Sequence, residues 1–260
     1  MAFMLISTSY SPSEKLRESA QTLAYGLRAR WVPRRHHTIN ELREKYGNQP
    51  ILLVTEQGLR LYGNGDKPVF FHPSMAILRI QGLARGETDV LVEVTGAEAG
   101  DTVLDCTAGL ASDAIVLSYV TGESGKVTAL ESETPLYVLV REGLSHYHSD
   151  VPGLNDAMRR ICLKHADHLE YLKSLPDRSV DIVYFDPMFR RPVEESAAIS
   201  PIRDLANPRP ISKETIREAV RVARKTVVLK EHRDSGEFVR LGFERFVRSH
   251  SKIAYGVIRL

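Results

Sequence analysis

The stretch from Leu104 to Ala114 reads LDCTAGLASDA. An apolar run ends at an acid, Asp105, and a turn of small residues follows it before a helical pattern that runs from Ala111 to Tyr119. A strand that leads through a short loop into a helix is the repeating unit of a parallel α/β sheet. Small residues let the backbone approach a ligand, and the helix start offers free amides. The stretch therefore predicts a ligand loop, or else a structural turn with Asp113 as a first-turn acid.

From Thr88 onward, strands alternate with helices, which predicts right-handed crossovers and a mainly parallel sheet. The predicted helices are Thr88 to Thr95, Ala111 to Tyr119, Pro135 to Tyr147 and Ser212 to Arg224. The predicted strands are Thr102 to Cys106, Lys126 to Glu131, Ile161 to His165, Val180 to Phe185 and Thr226 to Lys230. The run VDIVYF, from Val180 to Phe185, is almost continuously apolar, as in a strand buried on both faces.

The chain is expected to close with two strand-like runs, Phe243 to Arg248 and Lys252 to Ile258. Such a hairpin would add antiparallel strands to the parallel sheet. That ending favours the arrangement found in methyltransferases over an ordinary dinucleotide-binding domain.

A second region, the N-terminal region, covers positions 1–85. Predicted here are a strand from Phe3 to Thr8, a helix from Ser13 to Arg30, a hairpin of Ile51 to Thr55 with Leu59 to Tyr62, and a helix from Pro73 to Leu83. This region carries 12 Lys and Arg against 6 Asp and Glu, whereas the remainder carries 23 against 27. We therefore predict a small basic α/β domain over 1–85 and a larger domain over 86–260.

The densest basic run of the N-terminal region is Arg34, Arg35, His36 and His37. A basic appendage on a nearly neutral body is one signature of a protein that binds a polyanion such as RNA. A solvated basic loop is the alternative explanation.

Composition excludes several classes of protein. With 43% hydrophobic and 26% charged residues, the chain is that of an ordinary globular protein. It has no apolar run long enough to span a bilayer and no signal-peptide pattern, so no membrane association and a cytoplasmic location are expected. Cys106 and Cys162 lack metal-site spacing, which predicts two buried thiols and no metal.

Two further acids follow predicted strands. Glu131, in ALESETP, ends the second strand, where a carboxylate can accept hydrogen bonds from both ribose hydroxyls of a nucleoside. Asp167 and His168, in KHADHL, follow the third strand near the expected adenine edge. Because the first loop has only Gly109 and lacks GxGxxG spacing, a dinucleotide cofactor is disfavoured.

The most discriminating motif is FDPMF, from Phe185 to Phe189. It resembles the D/N-P-P-Y/F tetrad of methyltransferases that act on exocyclic or planar nitrogens. In that interpretation Asp186 accepts a hydrogen bond from the target amine, Pro187 fixes the backbone and Phe189 stacks on the base. The alternative is a strand that ends at a proline, followed by a buried phenylalanine.

Together, DCTAGLASDA, LESETP, DPMF and VVLKEH resemble the RsmJ-type family of small-subunit ribosomal RNA guanine-N2 methyltransferases. The resemblance implies a Rossmann-like methyltransferase fold, a small N-terminal domain and S-adenosyl-L-methionine as cofactor. It also implies cofactor contacts at Ser112, Asp113, Glu131, Ser132, Asp167, His168 and Asp186. Asp105 and Gly109 join this set from the loop itself.

The loop departs from the family pattern, which more typically reads TAGLGRD. This chain has Ala111 and Ser112 where the family has glycine and arginine, so a basic contact is missing. The cofactor assignment tolerates this change better than the substrate assignment, because Ser112 still offers a hydroxyl and an amide.

The leading hypothesis is methyl transfer to a base nitrogen of RNA, with ribosomal RNA or the small ribosomal subunit as partner. Four arginines in the long connection after the tetrad support it: Arg190, Arg191, Arg203 and Arg209. A methyltransferase acting on a protein or small molecule, and a non-catalytic RNA-binding protein that retains the fold, are the alternatives. The sequence leaves the oligomeric state open.

Overall fold

A computed structural model of the chain describes residues 4–187, 202, 204–246 and 251–260, which form two β-sheets with surrounding helices. The strands are β1 (Leu5–Thr8), β2 (Arg30–Trp31), β3 (Ile51–Thr55), β4 (Gly58–Tyr62), β5 (Thr102–Asp105), β6 (Lys126–Glu131), β7 (Cys162–His165), β8 (Val180–Phe185), β9 (Ala223–His232), β10 (Glu244–Phe246) and β11 (Ile253–Arg259). The helices are α1 (Glu14–Gly26), α2 (Ile39–Tyr46), α3 (Ser74–Ala84), α4 (Val90–Thr95), α5 (Ser112–Thr121), α6 (Thr134–His146), α7 (Leu154–Arg160), α8 (His168–Ser174), α9 (Lys213–Val222) and α10 (Glu237–Leu241).

The larger sheet has seven strands in the order β10-β11-β9-β8-β5-β6-β7. The five strands from β9 to β7 are parallel, and β11 runs antiparallel to both of its neighbours. The predicted fold class, a mainly parallel α/β sheet with an antiparallel hairpin at its end, is confirmed. The hairpin consists of β10 and β11. Strand β11, the last in the chain, pairs with β9, and β10 forms the edge of the sheet.

Strand β8 lies in the middle of this sheet, and its apolar run is buried on both faces. Ile182 and Tyr184 pack into one core cluster, whereas Val183 and Phe185 pack into the cluster on the opposite face. Alternate side chains of a strand point to opposite faces, so a strand covered on both sides needs an unbroken apolar run. The position of β8 places the residues after Phe185 at the centre of the sheet edge.

The smaller sheet has the order β2-β1-β3-β4, and β3 and β4 form the predicted hairpin. Helix α1 packs on one face of it, and α2 packs on the other through Leu42. Helix α2 was not predicted from the sequence, although Thr38 and Glu41 form a capping box at its start. Both helices are short, and packing on a sheet face stabilises them more than their intrinsic propensity does.

The two sheets share apolar contacts. Met4, which precedes β1, and Ile6 of β1 lie in the same core cluster as Leu136 and Leu139 of α6. Helix α3 precedes residue 86, yet its Ala76 belongs to the core cluster around α5. The division after Arg85 stays a prediction, and these contacts indicate that the N-terminal region is packed against the remainder.

The two cysteines differ in burial. Cys106 is buried, whereas Cys162 is exposed, so the prediction that both thiols are buried is wrong for Cys162. Strand β7 is the edge strand of the larger sheet, and an edge strand is covered less completely than a central one. Within the ranges described, no helix is long and apolar enough to cross a membrane.

We expect Gly143→Ala to lower the free energy of unfolding by about 1 to 2 kcal/mol. A methyl group at Gly143 of α6 would overlap the root of the Phe71 side chain. Overpacking costs about 1 to 3 kcal/mol, and overlap with three atoms of Phe71 places this site at about 2 to 3 kcal/mol, of which the better helix propensity of alanine returns about 1 kcal/mol. Chemical denaturation measures the change. Gly26→Ala, at the end of α1 with no atom near the added methyl group, is the matched control. Equal stability of the Gly143→Ala variant and the wild type would contradict the prediction.

Candidate active site

A pocket opens at the carboxyl ends of the parallel strands, where β5 is flanked by β6 on one side and β8 on the other. Ligands of open α/β sheets bind at this kind of edge, where the strand order changes direction. The sequence-predicted site residues in its wall are Gly109, Glu131, Ser132, His168, Asp186 and Pro187. Asp105, Ser112, Asp113 and Asp167 are not in the wall, and Phe189 lies outside the described residues.

The loop after β5 places Gly109, which has no side chain, in the wall of this pocket. Gly109 and Ala111 both have positive φ, at 52° and 62°, and Ala111 immediately precedes α5. A left-handed conformation costs a residue other than glycine roughly 1 to 2 kcal/mol, so Ala111 is strained where the resembling family has glycine. Helix α5 begins without a side-chain cap, and the Ser112 hydroxyl makes no hydrogen bond to any described residue. The loop keeps polar groups available for a ligand.

Glu131 ends β6 and is buried. Burial raises the pKa of its carboxyl to about 7, against the opposing effect of amide donors that include Glu133 and Gly109. The Glu133 amide donates to Glu131 Oε1 at 2.9 Å. This carboxylate therefore has a fixed orientation, and it titrates close to neutral pH.

Asp186 and Pro187 follow β8 directly. The Asp186 amide donates to Thr107 Oγ1 at 2.6 Å, and the Thr107 amide donates to Asp105 Oδ1 at 3.0 Å. The first bond joins the loop after β8 to the loop after β5, and the second holds Thr107 against the end of β5. Burial raises the pKa of Asp105 to about 8, so this buried carboxyl is mostly protonated at neutral pH.

Asp113 lies at the start of α5 and is the centre of a buried charge network. Its Oδ1 accepts a hydrogen bond from Arg79 of α3, and its Oδ2 accepts from Tyr184 at 2.7 Å and from Lys230 at 2.9 Å. Arg79 also makes two hydrogen bonds to Asp89, at 2.7 and 2.8 Å. Burial opposes ionisation, but Lys230 and Arg79 together hold the pKa of Asp113 below its usual range. Asp113 is therefore ionised, and three side chains occupy its two oxygens.

The network reaches the predicted catalytic residue through Lys230. Its Nζ lies 2.7 Å from Asp186 Oδ2, and the pKa of Lys230 is raised because Asp113 and Asp186 outweigh the effect of burial. Burial raises the pKa of Asp186 to about 6, with Lys230 opposing the rise and the Asp113 charge adding to it. Asp186 is therefore mostly ionised at neutral pH.

Asp167 and His168 occupy different positions. Asp167 caps α8, where its Oδ1 accepts from the amides of Leu169 and Glu170 at 2.9 and 3.2 Å. His168 lies in the pocket wall with its ring edge-on to Phe185, and burial lowers its pKa. His168 is therefore a neutral, partly apolar surface of the pocket. The cofactor roles of both residues stay predictions.

Three residues of this site were not predicted from the sequence: Arg79, Thr107 and Lys230. Lys230 was part of the quoted VVLKEH string, and its position on a strand next to β8 was the available signal. Arg79 had no such signal, because it belongs to a helix that precedes the parallel sheet. The expectation that the protein binds no metal stays a prediction. The described ranges contain no group of three or more His, Cys, Asp or Glu side chains that could hold a metal ion.

The chain matches, over residues 37–240, the protein family described as "putative SAM-dependent methyltransferase". The protein YpiP of Bacillus subtilis is 42% identical over 98% of this chain and 99% of its own length.

Relatives named ribosomal RNA small subunit methyltransferase J are more distant. The protein of Acinetobacter baumannii strain SDF is 31% identical over 57% of this chain and 52% of its own length. That of Haemophilus influenzae is 29% identical over 65% of each chain. The alignment thus spans about half to two thirds of these relatives.

A crystal structure of a SAM-dependent methyltransferase from Neisseria gonorrhoeae has the same fold. It superimposes with a TM-score of 0.64 over 98% of this chain and 95% of its own, at 20% identity.

Proposed function

This chain belongs to that family of SAM-dependent methyltransferases, and we propose that it methylates the exocyclic N2 of a guanine in small-subunit ribosomal RNA. Its dependence on S-adenosylmethionine and its class of reaction follow from the family and from the relatives. The RNA substrate and the target nitrogen are the proposal. It rests on the Asp186 site, on the names of the methyltransferase J relatives and on the basic N-terminal region.

The pocket fits S-adenosylmethionine. When bound, this cofactor supplies a methyl group activated on a positively charged sulfur. Carboxyls of three strand ends lie in or beside the pocket, namely Asp105, Glu131 and Asp186, and burial raises the pKa of each. Burial disfavours the ionised form of these carboxyls, and a nearby positive charge stabilises that form. These groups therefore favour a cationic ligand. Gly109 brings backbone into the pocket wall, and the buried Ser112 hydroxyl beside it has no hydrogen-bond partner among the described residues.

In the proposal, Glu131 accepts hydrogen bonds from the ribose hydroxyls, because it ends β6 in the pocket wall. His168 and Ala166 form an apolar surface at the neighbouring strand end, which suits the adenine. Ser132 and Asn207 close this side, with Asn207 Nδ2 donating to Ser132 Oγ at 3.4 Å.

The observation that carries the substrate proposal is the position of Asp186, an ionised carboxylate in the pocket wall directly before Pro187. Its Oδ2 faces Lys230, and its amide is held by Thr107. In the proposal this carboxylate accepts a hydrogen bond from the target amine, which orients the nitrogen lone pair and needs no strong base. Holding two reacting groups in the right geometry supplies a large part of such a rate enhancement.

Phosphate contacts are proposed for the N-terminal region, which carries the basic excess. The structure changes which residues can make them. Arg34 is only 5% exposed, and its guanidinium lies 4.7 Å from the centre of the Tyr10 ring, whereas Arg35 and His36 are exposed. Arg34 is therefore an interior residue, and Arg35 is the better candidate for an RNA contact. Arg209, in the pocket wall, is a second candidate.

The proposal is tested with ribosomal particles from a strain that lacks the gene. The protein is incubated with these particles and labelled S-adenosylmethionine, and labelled nucleosides are then identified. Labelled N2-methylguanosine in small-subunit RNA is the expected result. Label in ribosomal protein, or in a different nucleoside, would overturn the proposed substrate and leave the class of reaction unchanged.

We expect the affinity for S-adenosylhomocysteine to rise up to about tenfold between about pH 6 and about pH 8, as Glu131 ionises through its raised pKa. Only the ionised carboxylate can accept from both ribose hydroxyls. Glu131→Gln should bind more weakly and show a smaller change with pH, whereas Glu142→Gln, on the outer part of α6, should match the wild type. Calorimetry measures these affinities. A wild-type curve that is flat over this range would remove Glu131 from the proposed site.

Asp186→Ala should reduce single-turnover methylation on the order of a hundredfold or more, because one preorganised electrostatic partner of the reaction is lost. Asp181 lies on the same strand and pairs with Arg224 and the Thr102 amide, at the opposite end of β8. Asp181→Ala is therefore the matched control, with lower stability expected but an unchanged rate for the folded protein. Near-wild-type methylation by Asp186→Ala would show that the DPM segment is structural.

Arg35→Ala should weaken RNA binding and reduce the dependence of log affinity on log salt by about 0.7 to 0.9 for each phosphate interaction that the substitution removes. Arg34→Ala should instead lower stability and leave this slope unchanged, because its guanidinium is buried. Titrations with the RNA substrate at several salt concentrations separate the two effects. An unchanged slope for Arg35→Ala would identify the basic run as solvated surface.

A further inference from the structure

Lys230 connects two carboxylates from different elements. Its ammonium lies 2.7 Å from Asp186 Oδ2, after β8, and 2.9 Å from Asp113 Oδ2, at the start of α5. The lysine side chain is 18% exposed, and Asp113 is 9% exposed. A buried cation of this kind is retained only when its partners compensate for lost hydration.

The two carboxylates depend on Lys230 to different degrees. Asp113 has two other donors, Arg79 and Tyr184. Among the described residues, Asp186 makes no ion pair except the one with Lys230. Removing the ammonium would leave Asp113 held by its other donors, and it would leave Asp186 without this ion-pair partner, beside the negative charge of Asp113.

Lys230 also fixes the orientation of the Asp186 carboxylate. It engages Oδ2, and Thr107 holds the backbone of the same residue through its amide. Because one oxygen and the backbone are fixed, the position of Oδ1 is fixed as well. That oxygen is the acceptor that remains for a target amine.

We propose that Lys230 is the positioning residue of the catalytic carboxylate: its ammonium turns Asp186 so that Oδ1 meets the target amine, and it keeps Asp186 ionised beside Asp113. This inference rests on the role proposed above for Asp186. Lys230 itself acts through Asp186 and does not contact the substrate. Nothing in the sequence pattern assigned it a role.

Within the part of the chain that the structure describes, the other charged and titratable groups around Asp186 come from five elements or their ends. They are Asp105 after β5, Asp113 and its partner Arg79 from α5 and α3, Tyr184 of β8 and Tyr255 of β11. Burial raises the pKa of both tyrosines, which keeps them neutral at physiological pH, and Asp105 is mostly protonated. Arg79 is bound to Asp113 and Asp89. Lys230 is therefore the cation that sets the charge state of Asp186.

The test compares Lys230→Met and Lys230→Gln, which remove the charge, with Lys230→Arg, which keeps it. Lys225→Met is the matched control, since Lys225 lies on the same strand and pairs with Asp101 at 2.7 Å, far along β9 from the pocket. Titration of the Asp186 carboxyl is followed by NMR with isotope-labelled aspartate, and the signal is assigned by its loss in Asp186→Asn.

We expect the titration of Asp186 to move up by at least about one pH unit in Lys230→Met and Lys230→Gln, and to stay near the wild-type position in Lys230→Arg and Lys225→Met. The acid limb of the single-turnover rate should move by the same amount, so that for a shift of one pH unit the charge-removing variants lose about twofold at pH 7 and about tenfold at about pH 5, and recover in alkali. A structural role alone would lower the rate equally at every pH.

Two results would overturn the inference. One is an unmoved Asp186 titration in a folded Lys230→Met or Lys230→Gln protein. The other is an Asp186 titration in Lys230→Arg that moves up by about one pH unit or more, as expected for removal of the charge. This second result decides the question if both charge-removing variants fail to fold. Failure of the proposed function has a different signature, because Asp186→Ala would then methylate normally whatever the Lys230 variants show.

Discussion

The ionised carboxylate of Asp113 constrains the site more than any other group. An unpaired charge in a protein interior costs several kcal/mol, so a buried carboxylate must find donors. Asp113 finds them on three separate elements, through Arg79 of α3, Tyr184 of β8 and Lys230 of β9. Each donor must lie within hydrogen-bond reach of the same two oxygens. Helix α5 is thereby fixed relative to two neighbouring strands and to a helix of the N-terminal region.

This arrangement sets the electrostatics of the strand ends. Lys230 and Arg79 hold the pKa of Asp113 below its usual range, whereas burial, with the Asp113 charge adding to it, raises the pKa of Asp105 to about 8 and that of Asp186 to about 6. At neutral pH, Asp113 is therefore fully ionised, Asp186 is mostly ionised and Asp105 is mostly protonated. An edge with one firmly ionised acid and two that ionise more readily beside a cation is prepared for a positively charged ligand.

The order of strands and helices in the larger sheet could be predicted from the sequence, because each element has its own periodicity and the unbroken apolar run VDIVYF indicates burial on both faces. The loop after β5 and the DP segment were predictable as well, because each directly follows a strand that its own sequence pattern indicates. The partners of Asp113 were not, because Arg79 and Lys230 lie 34 and 117 residues away. Burial of Arg34 and exposure of Cys162 likewise depend on neighbours that only the fold supplies.

The distinction between local sequence patterns and contacts of distant residues also explains how the same edge of the larger sheet can be retained in proteins whose substrates differ. A structure with only 20% identity has this fold, so most side chains are free to change while the strand order persists. The features on which the proposed site depends are local: a backbone loop at Gly109, an acid at the end of β6, and a compensated carboxylate after β8. Groups such as Arg35 lie on the surface of the N-terminal region and have no part in that compensation. In the proposal, substitution at such a position changes RNA binding without altering the charge state of Asp186, and the two properties can be measured independently.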